Sequence, residues 1–240
     1  MRRGLADGAE PAPLCGKCVF PNIYDALLVF VIVALLALDH TLPLIDPKPA
    51  PEGPVQSVPM VAILSQILIY VPLLLRYMWL PSSSLRDALS LRTLAGVLLT
   101  LVAIYILQIL YFKSGLYESI VTLLDAPKDQ AAVTMLQSGD TSTLVCIIIG
   151  SVVVAPVVEE CCFRGFLYRV IKRYSRSGAA TVCSSLVFGA VHMSIAHIIP
   201  LFMLAMLQCR LYEKSGTLIA PILAHSLFNA ISVVAILYFP

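Results

Sequence analysis

Long runs of apolar residues, separated by short polar stretches, dominate the chain. A helix that crosses the hydrocarbon core of a bilayer needs about 20 mostly apolar residues. Seven stretches meet or approach this length, at residues 23–42, 58–80, 91–112, 143–163, 179–192, 198–211 and 218–239. We therefore predict an all-α fold, a polytopic bundle of about seven transmembrane helices within a range of about six to eight.

Two regions leave the span count open. The fifth and sixth predicted spans are short, and only the segment MSIAH separates them, so they form either a tight helical pair or a partly re-entrant hairpin. In the mixed segment 113–140, Leu116, Ile120 and Leu123 recur at helical spacing, which favours a helix at the membrane interface. A further span in that segment would reverse the topology of everything after it.

Lysine and arginine predict the orientation of the bundle. They are concentrated in the N-terminal tail and in the loops after the second, fourth and sixth spans, whereas acidic residues prevail in the other loops. Because loops rich in lysine and arginine stay in the cytoplasm, we expect a cytoplasmic N-terminus and an external C-terminus.

Composition supports a membrane environment and excludes other classes of protein. Hydrophobic residues make up 59% of the 240 residues and charged residues only 12%, whereas a soluble domain carries about 25% charged residues. We expect an integral, multi-pass protein in contact with the lipid bilayer. The net charge of +2 comes without a basic patch, so no nucleic-acid partner is expected.

The seven cysteines do not indicate a disulfide framework. Their number is odd and most lie in apolar segments, which is typical of small buried hydrophobes. Cys15 and Cys18 have C-x-x-C spacing, but without a second such pair or a nearby histidine a metal site would lack ligands. Cys161 and Cys162 lie beside two glutamates, but the accessible, electropositive setting of a reactive thiol is not evident.

Charged residues enter the fourth predicted span at its cytoplasmic end. Charges inside a span are costly and mark functional sites by default. Glu160 and Arg164 are four residues apart, on one helix face, and can pair. Glu159 is rotated from Glu160 by about 100° and is left free for chemistry. The alternative interpretation is a set of interfacial charges at a helix end.

Further polar residues lie in the fifth and seventh spans. His192 ends an apolar helical stretch, and His225 and Asn229 are four apart on one face. Each alone could be a hydrogen-bonded packing residue that holds helices together. Their predicted depth, however, coincides with that of Glu159 near the cytoplasmic boundary, so we expect one site. His197 does not share a helix face with His192, and we assign it no role.

A glutamate and a histidine in a partly dry pocket can bind and deprotonate a water molecule. Donors such as asparagine and histidine can stabilise an oxyanion. Together these groups suit amide hydrolysis by activated water. A serine nucleophile is less favoured because the chain contains no G-x-S-x-G motif.

Three segments of this sequence carry a resemblance to a known family. EECCFR at 159–164, FGAVH at 188–192 and HSLFN at 225–229 resemble, in order and spacing, the motifs EExxxR, FxxxH and HxxxN. These motifs define the CPBP (CAAX-protease and bacteriocin-processing, or ABI) family of intramembrane proteases, which includes the type II CAAX prenyl endopeptidases. The resemblance covers about residues 144–238, and the first half of the chain resembles no family that we can name.

The resemblance implies roles for individual residues. Glu159 would be the general base that activates water, and His192 would help to hold that water. His225 and Asn229 would bind the substrate carbonyl and stabilise the oxyanion. Supporting roles, as a pair that braces the site, would fall to Glu160 and Arg164.

The resemblance leaves metal dependence open, since the family has been described both as metalloproteases and as metal-independent glutamate proteases. The sequence lacks H-E-x-x-H, in which two histidines at four-residue spacing chelate zinc. We expect metal-independent catalysis and no cofactor. Were zinc bound, its ligands would come from Glu159, Glu160, His192 and His225.

We therefore predict an intramembrane endopeptidase that hydrolyses a peptide bond with Glu/His-activated water near the cytoplasmic side. Its substrates would be prenylated or other membrane-associated peptides or proteins. Two alternatives remain: a non-catalytic membrane protein in bacteriocin immunity or scaffolding, and a proton-coupled transporter, against which the absence of a matching half-repeat argues.

We predict that the chain forms a single membrane domain with three parts. A cytoplasmic tail covers 1–22, accessory spans and loops cover 23–142, and the catalytic helix core covers 143–240. Its short length and compact loops favour the bacterial cell membrane, or the ER membrane if the source is eukaryotic.

Overall fold

The computed structural model describes residues 89–128, 133, 136, 137, 141–192 and 194–238. The first two predicted spans, 23–42 and 58–80, lie outside the described residues, as do Cys15 and Cys18. The total of about seven spans, the orientation and the three-part division of the chain therefore stay predictions.

The described part of the chain is built of helices and turns, without a strand, and this confirms the all-α class for it. A 3₁₀ turn, Ile195–His197, precedes the fifth helix. The helices are α1 (Leu91–Lys113), α2 (Leu116–Leu124), α3 (Thr141–Tyr174), α4 (Ser177–Val191), α5 (Ile198–Ser215) and α6 (Ile219–Tyr238).

Among the described residues, four helical segments are long and apolar enough to cross a membrane: α1, α3, α5 with its preceding turn, and α6. The predicted fifth span corresponds to α4, which has only 15 residues. The nine residues of α2 occupy the mixed segment and are too few to cross a bilayer. These helices indicate an integral membrane protein.

The helix that contains the fourth predicted span, 143–163, extends beyond it. The structure continues this helix to Tyr174, for 34 residues in all. At 1.5 Å per residue such a helix is about 50 Å long, more than the ~30 Å hydrocarbon core. Its basic end, which includes Arg169, Lys172 and Arg173, lowers the hydropathy without ending the helix.

Local sequence signals explain where several helices begin and end. The side chain of Ser90 accepts a hydrogen bond from the Thr93 N–H at the start of α1, which makes it an N-cap. α5 ends at Gly216, whose φ of 67° lies in the left-handed region that glycine adopts without strain. Gly115, with φ of 75°, makes the corner between α1 and α2.

The core forms where α1, α3, α4 and α5 meet. Ile104, Val158, Phe163, Phe188 and Leu204 pack together there and are buried. A second cluster joins α1 to the small residues Ala220 and Ala224 of α6, which let the two backbones approach closely.

The outer surface of the bundle is strongly apolar. Leu98 and Leu99 on α1, Val153 on α3 and Leu186 on α4 are all exposed. A surface of this kind is suited to lipid tails, so the exposed side chains agree with the membrane location that composition predicts.

Candidate functional site

The two adjacent glutamates lie on a short α-helical piece of α3, Ala155–Glu160, between two π-helical segments. These segments are Gly150–Val154 and Cys161–Leu167. A π turn inserts one residue into the helix and changes the direction of the side chains that follow, and such turns are frequent at functional sites. The local winding of α3 therefore sets where Glu159 and Glu160 point.

Glu160 and Arg164 form a fully enclosed ion pair, as their spacing predicts. Arg164 Nη1 lies 3.0 Å from Glu160 Oε1, and the two side chains are 1% and 0% exposed. Arg164 Nη2 also donates to the Ala205 carbonyl of α5 at 3.1 Å, and its guanidinium lies 4.8 Å from the centre of the Phe188 ring. We call Glu160, Arg164 and the Ala205 carbonyl the inner cluster.

His225 connects this inner cluster to Glu159. Its Nδ1 lies 3.0 Å from Glu160 Oε1. Because that oxygen is a carboxylate acceptor, Nδ1 is the donor, and the other ring nitrogen is turned toward Glu159. His225 Nε2 lies 3.9 Å from Glu159 Oε2, and the His225 side chain is only 5% exposed.

His192 approaches Glu159 from α4. Its Nδ1 lies 2.7 Å from the Phe188 carbonyl, which can only accept, so this nitrogen carries the proton. His192 Nε2 then lies 3.9 Å from Glu159 Oε2, and the two side chains are 25% and 26% exposed. We call Glu159 and His192 the outer cluster, because they form the open edge of the site.

Glu159 is the unengaged member of the pair of glutamates. Both imidazoles lie too far from its Oε2 for a direct hydrogen bond. Within the described residues this oxygen has no hydrogen-bond partner, and it is itself shielded from solvent. Because the Glu159 and His192 side chains are each about a quarter exposed, solvent can contact both of them.

The arrangement can be tested against zinc binding. Each histidine donates its Nδ1–H to an acceptor and turns Nε2 inward, which is the usual state of a metal ligand. However, ligands of a tetrahedral zinc lie about 3.4 Å apart, and both Nε2 atoms are 3.9 Å from Glu159 Oε2. No group of three metal-ligating side chains is formed among the described residues. The observed arrangement therefore does not match a tetrahedral zinc site.

Asn229 lies one turn after His225 on α6, as its spacing predicts, but its amide has an unforeseen partner. Asn229 Nδ2 lies 2.7 Å from the Ser151 carbonyl in the first π-helical segment. A carbonyl oxygen only accepts, so the amide nitrogen is the donor. The sequence did not suggest this contact because the π turn leaves no clear signal in the residue pattern.

Three other residues that the sequence analysis considered belong to neither cluster. His197 is on the 3₁₀ turn, where its Nδ1 lies 2.8 Å from Ser194 Oγ and its ring packs on Tyr117. Cys161 and Cys162 are buried, and Cys162 belongs to the apolar core. The structure therefore offers no support for a thiol nucleophile at this site.

Reasoning from the sequence assigned no role to Phe188, which contacts the site, or to Gln208, which belongs to neither cluster. The Phe188 ring contacts Arg164 and lies 4.7 Å from the His192 ring and 6.2 Å from the His225 ring, centre to centre. Gln208 of α5 is completely buried, and neither polar atom of its side chain has a partner in the part of the chain that is described. A lone amide in an apolar span was the signal available for Gln208.

Comparisons with known proteins agree with the resemblance seen in the motifs. Residues 141–231 match the family model described as "Type II CAAX prenyl endopeptidase Rce1-like". The protein "Putative membrane peptidase YdiL" of Bacillus subtilis (strain 168) is 28% identical over 88 residues, which are 37% of this chain and 36% of that protein. No solved structure matches the chain. The resemblance drawn from the three motifs is thus confirmed, and residues 141–231 are similar to the type II CAAX prenyl endopeptidase Rce1-like family.

Proposed function

We propose that this protein is an intramembrane endopeptidase in which Glu159 activates water to hydrolyse a peptide bond. One observation carries the proposal: Oε2 of Glu159 lies 3.9 Å from Nε2 of both His192 and His225 and has no hydrogen-bond partner among the described residues. A carboxylate oxygen that faces two imidazoles without a direct hydrogen bond is suited to accept a proton. The similarity of residues 141–231 to a peptidase family supports the same conclusion.

In the proposed reaction, water binds at the exposed edge of Glu159 and His192. The water oxygen attacks the carbonyl carbon of the substrate while Glu159 takes one of its protons. The C–N bond then breaks, and Glu159 returns the proton to the leaving nitrogen. Glu159 is thus ionised again at the end of each turnover, and the products are a new carboxyl terminus and a new amine.

Charge on the substrate oxygen needs stabilisation as the tetrahedral intermediate forms. The resemblance assigns this role to His225 and Asn229. Because Nδ1 of His225 donates to Glu160, this histidine can donate to the substrate oxygen from Nε2 only as an imidazolium. The Asn229 amide nitrogen already donates to the Ser151 carbonyl, so we assign the substrate oxygen to His225. The inner cluster supports this side of the site, because Glu160 fixes the His225 ring through Nδ1.

We further propose that the substrate is a prenylated or other membrane-associated peptide. Glu159 lies about 27 Å along α3 from Thr141, and the basic end of α3 extends about 22 Å beyond Glu159. A site near that basic end would face the cytoplasmic boundary of the bilayer. A peptide held at the membrane surface by a lipid chain would present its bonds at this depth.

The test uses the purified full chain and two fluorogenic peptides of one sequence, with and without a prenyl group, each with and without a chelator. We expect cleavage at one bond, retained with the chelator. Glu159→Gln should lower kcat by about 10²- to 10⁴-fold. Glu213→Gln, which removes a charge from a surface ion pair with Lys172, is the matched control and should retain activity. Equal cleavage by wild type and Glu159→Gln would refute the proposal, as would no cleavage of either peptide.

A further inference from the structure

We propose that Asn229 is a positioning residue. It supplies the hydrogen bond which Pro156 cannot give, and thereby fixes α6 against α3. The structural part of this proposal stands on its own. Its consequence for catalysis rests on the proposed function of Glu159 and His225. It differs from the oxyanion role that the resemblance implies for Asn229, in which the amide acts on the substrate directly.

The argument begins with the hydrogen bonds of the first π-helical segment. The Ala155 N–H donates to the Gly150 carbonyl, five residues before it. In that register the next donor along the chain, for the Ser151 carbonyl, would be the N–H of residue 156. Residue 156 is a proline, which has no N–H. The Ser151 carbonyl therefore has no backbone donor in either register, because the Ala155 N–H is bound to the Gly150 carbonyl and residue 156 has no N–H.

In a regular α-helix a different carbonyl would lack its backbone donor. Pro156 would then leave the carbonyl of Val152, four residues before it, without a donor. The π turn moves the missing bond to Ser151, which is about 100° around the helix from Val152. Asn229 of α6 lies on that side, with its Nδ2 at 2.7 Å from the Ser151 oxygen.

The membrane setting makes such a donor necessary. In the bilayer core no water is available for a backbone group that the helix leaves unpaired, so a neighbouring helix must supply the partner. Ser151 lies in an apolar stretch of α3, and its side chain and that of Asn229 are both partly buried. The Asn229 amide is thus the replacement for a backbone N–H.

This bond lies close to the reacting groups on both helices. Ser151 is two turns before Glu159 on α3, and Asn229 is one turn after His225 on α6. The two helices are therefore joined at two points, by the Asn229–Ser151 bond and by the contact of His225 Nδ1 with Glu160 Oε1. Together these contacts define the 3.9 Å separation between Glu159 and His225.

A cycle of four full-length proteins tests the proposal: wild type, Asn229→Ala, Pro156→Ala and the double variant. Alanine at 156 provides a backbone N–H, so Ser151 regains a donor in either helical register. Asn229→Ala should lower the melting temperature in detergent by about 3 °C in the wild-type background. In the Pro156→Ala background the same change should cost less than half as much. Thr100→Val is the control, since its hydroxyl bonds within α1 to the Gly96 carbonyl, and its cost should be equal in both backgrounds.

Kinetics at a temperature well below every transition separate positioning from direct catalysis. A positioning role predicts that Asn229→Ala lowers kcat by about 10- to 100-fold with KM unchanged, and that the loss shrinks in the Pro156→Ala background. A donor to the oxyanion would cost about 10²- to 10³-fold in both backgrounds alike.

Equal losses of melting temperature in the two backgrounds would overturn the proposal, and so would equal losses of kcat. If Pro156→Ala alone is inactive, the melting temperatures of the four proteins still test the proposal, because they do not depend on activity. If wild type cleaves no peptide, the proposed function fails, while the melting-temperature cycle continues to test the assignment of Asn229 to Ser151.

Discussion

The inner and outer clusters of the site contain the same chemical group in opposite situations. Glu160 is completely buried and is bound by Arg164 and His225. Glu159, its neighbour in the chain, is 26% exposed and lacks a direct partner in the described region. A rotation of about 100° along one helix therefore separates a structural carboxylate from one that is free to react.

The two glutamates therefore differ in role: Glu160 is buried and serves the structure, whereas Glu159 is partly exposed and can react. A buried charge is tolerated only when partners compensate it. Glu160 Oε1 has two such partners, Arg164 and His225, whereas Glu160 Oε2 and Arg164 Nε have no hydrogen-bond partner among the described residues. The outer cluster leaves its carboxylate uncompensated at an edge that water can reach. We expect damage to the inner cluster to reduce stability first, and damage to the outer cluster to reduce activity first.

The largest effect should come from breaking the inner cluster. Arg164→Leu leaves the Glu160 carboxylate buried without its cation, so we expect a loss of about 3–5 kcal/mol in the free energy of unfolding. The control is Lys172→Leu on the same helix, where a partly exposed ion pair with Glu213 is removed. That change should cost less than about 1 kcal/mol. Denaturation in detergent, followed by far-UV circular dichroism, measures the free energy of unfolding of both variants. Equal losses in the two variants would contradict the difference between the inner and outer clusters.

A smaller effect should come from moving the outer cluster without changing its chemistry. A Cβ at Gly189 would lie 3.1 Å from the Ile198 carbonyl oxygen, so Gly189→Ala must separate α4 from α5 close to His192. We expect a cost of about 1–3 kcal/mol together with a lower kcat, because His192 shifts from Glu159.

Gly178→Ala on the same helix is the matched control for this prediction. A Cβ there meets nothing within 4 Å. Alanine is favoured over glycine in a helix by about 0.5–1 kcal/mol, so this variant should be as stable as wild type or more so. Thermal unfolding and peptide cleavage, measured on both variants, would contradict the prediction if Gly189→Ala behaved like Gly178→Ala.

The smallest effect should come from Gln208, a buried polar residue that belongs to neither cluster. Its amide oxygen and nitrogen have no hydrogen-bond partner in the described chain. Gln208→Leu keeps the volume and removes the unpaired groups, so it should raise the free energy of unfolding by about 1 kcal/mol and leave cleavage unchanged. Gln208→Glu, which adds a buried charge, should instead destabilise the protein. A loss of cleavage in Gln208→Leu at full stability would place Gln208 in the site.

Much of this comparison could be predicted from the sequence. The four-residue spacing of Glu160 and Arg164 and the rotation of Glu159 depend only on helical geometry. The convergence with His192 and His225 followed from a common depth in the membrane. α1 and α6 matched their predicted apolar runs closely, since hydropathy alone defines a helix that faces lipid on one side.

Other features could not be predicted, for physical reasons that differ. The full length of α3 was not predicted because charged residues lower the hydropathy while the helix continues to Tyr174. The contact of Nδ1 of His225 with Glu160 depends on how α6 packs on α3, which no single segment encodes. The pairing of Asn229 with Ser151 depends on a π turn, and the position of such a turn near Pro156 is chosen by tertiary packing.

The most direct measurement compares Glu159→Gln and Glu160→Gln in one experiment, with thermal unfolding and peptide cleavage recorded on the same purified samples. The account predicts that Glu159→Gln unfolds at the wild-type temperature and loses cleavage by about 10²- to 10⁴-fold. Glu160→Gln should unfold at a clearly lower temperature, because Arg164 loses its buried counter-charge. A fully active Glu159→Gln, or a Glu160→Gln as stable as wild type, would contradict the division between the two glutamates.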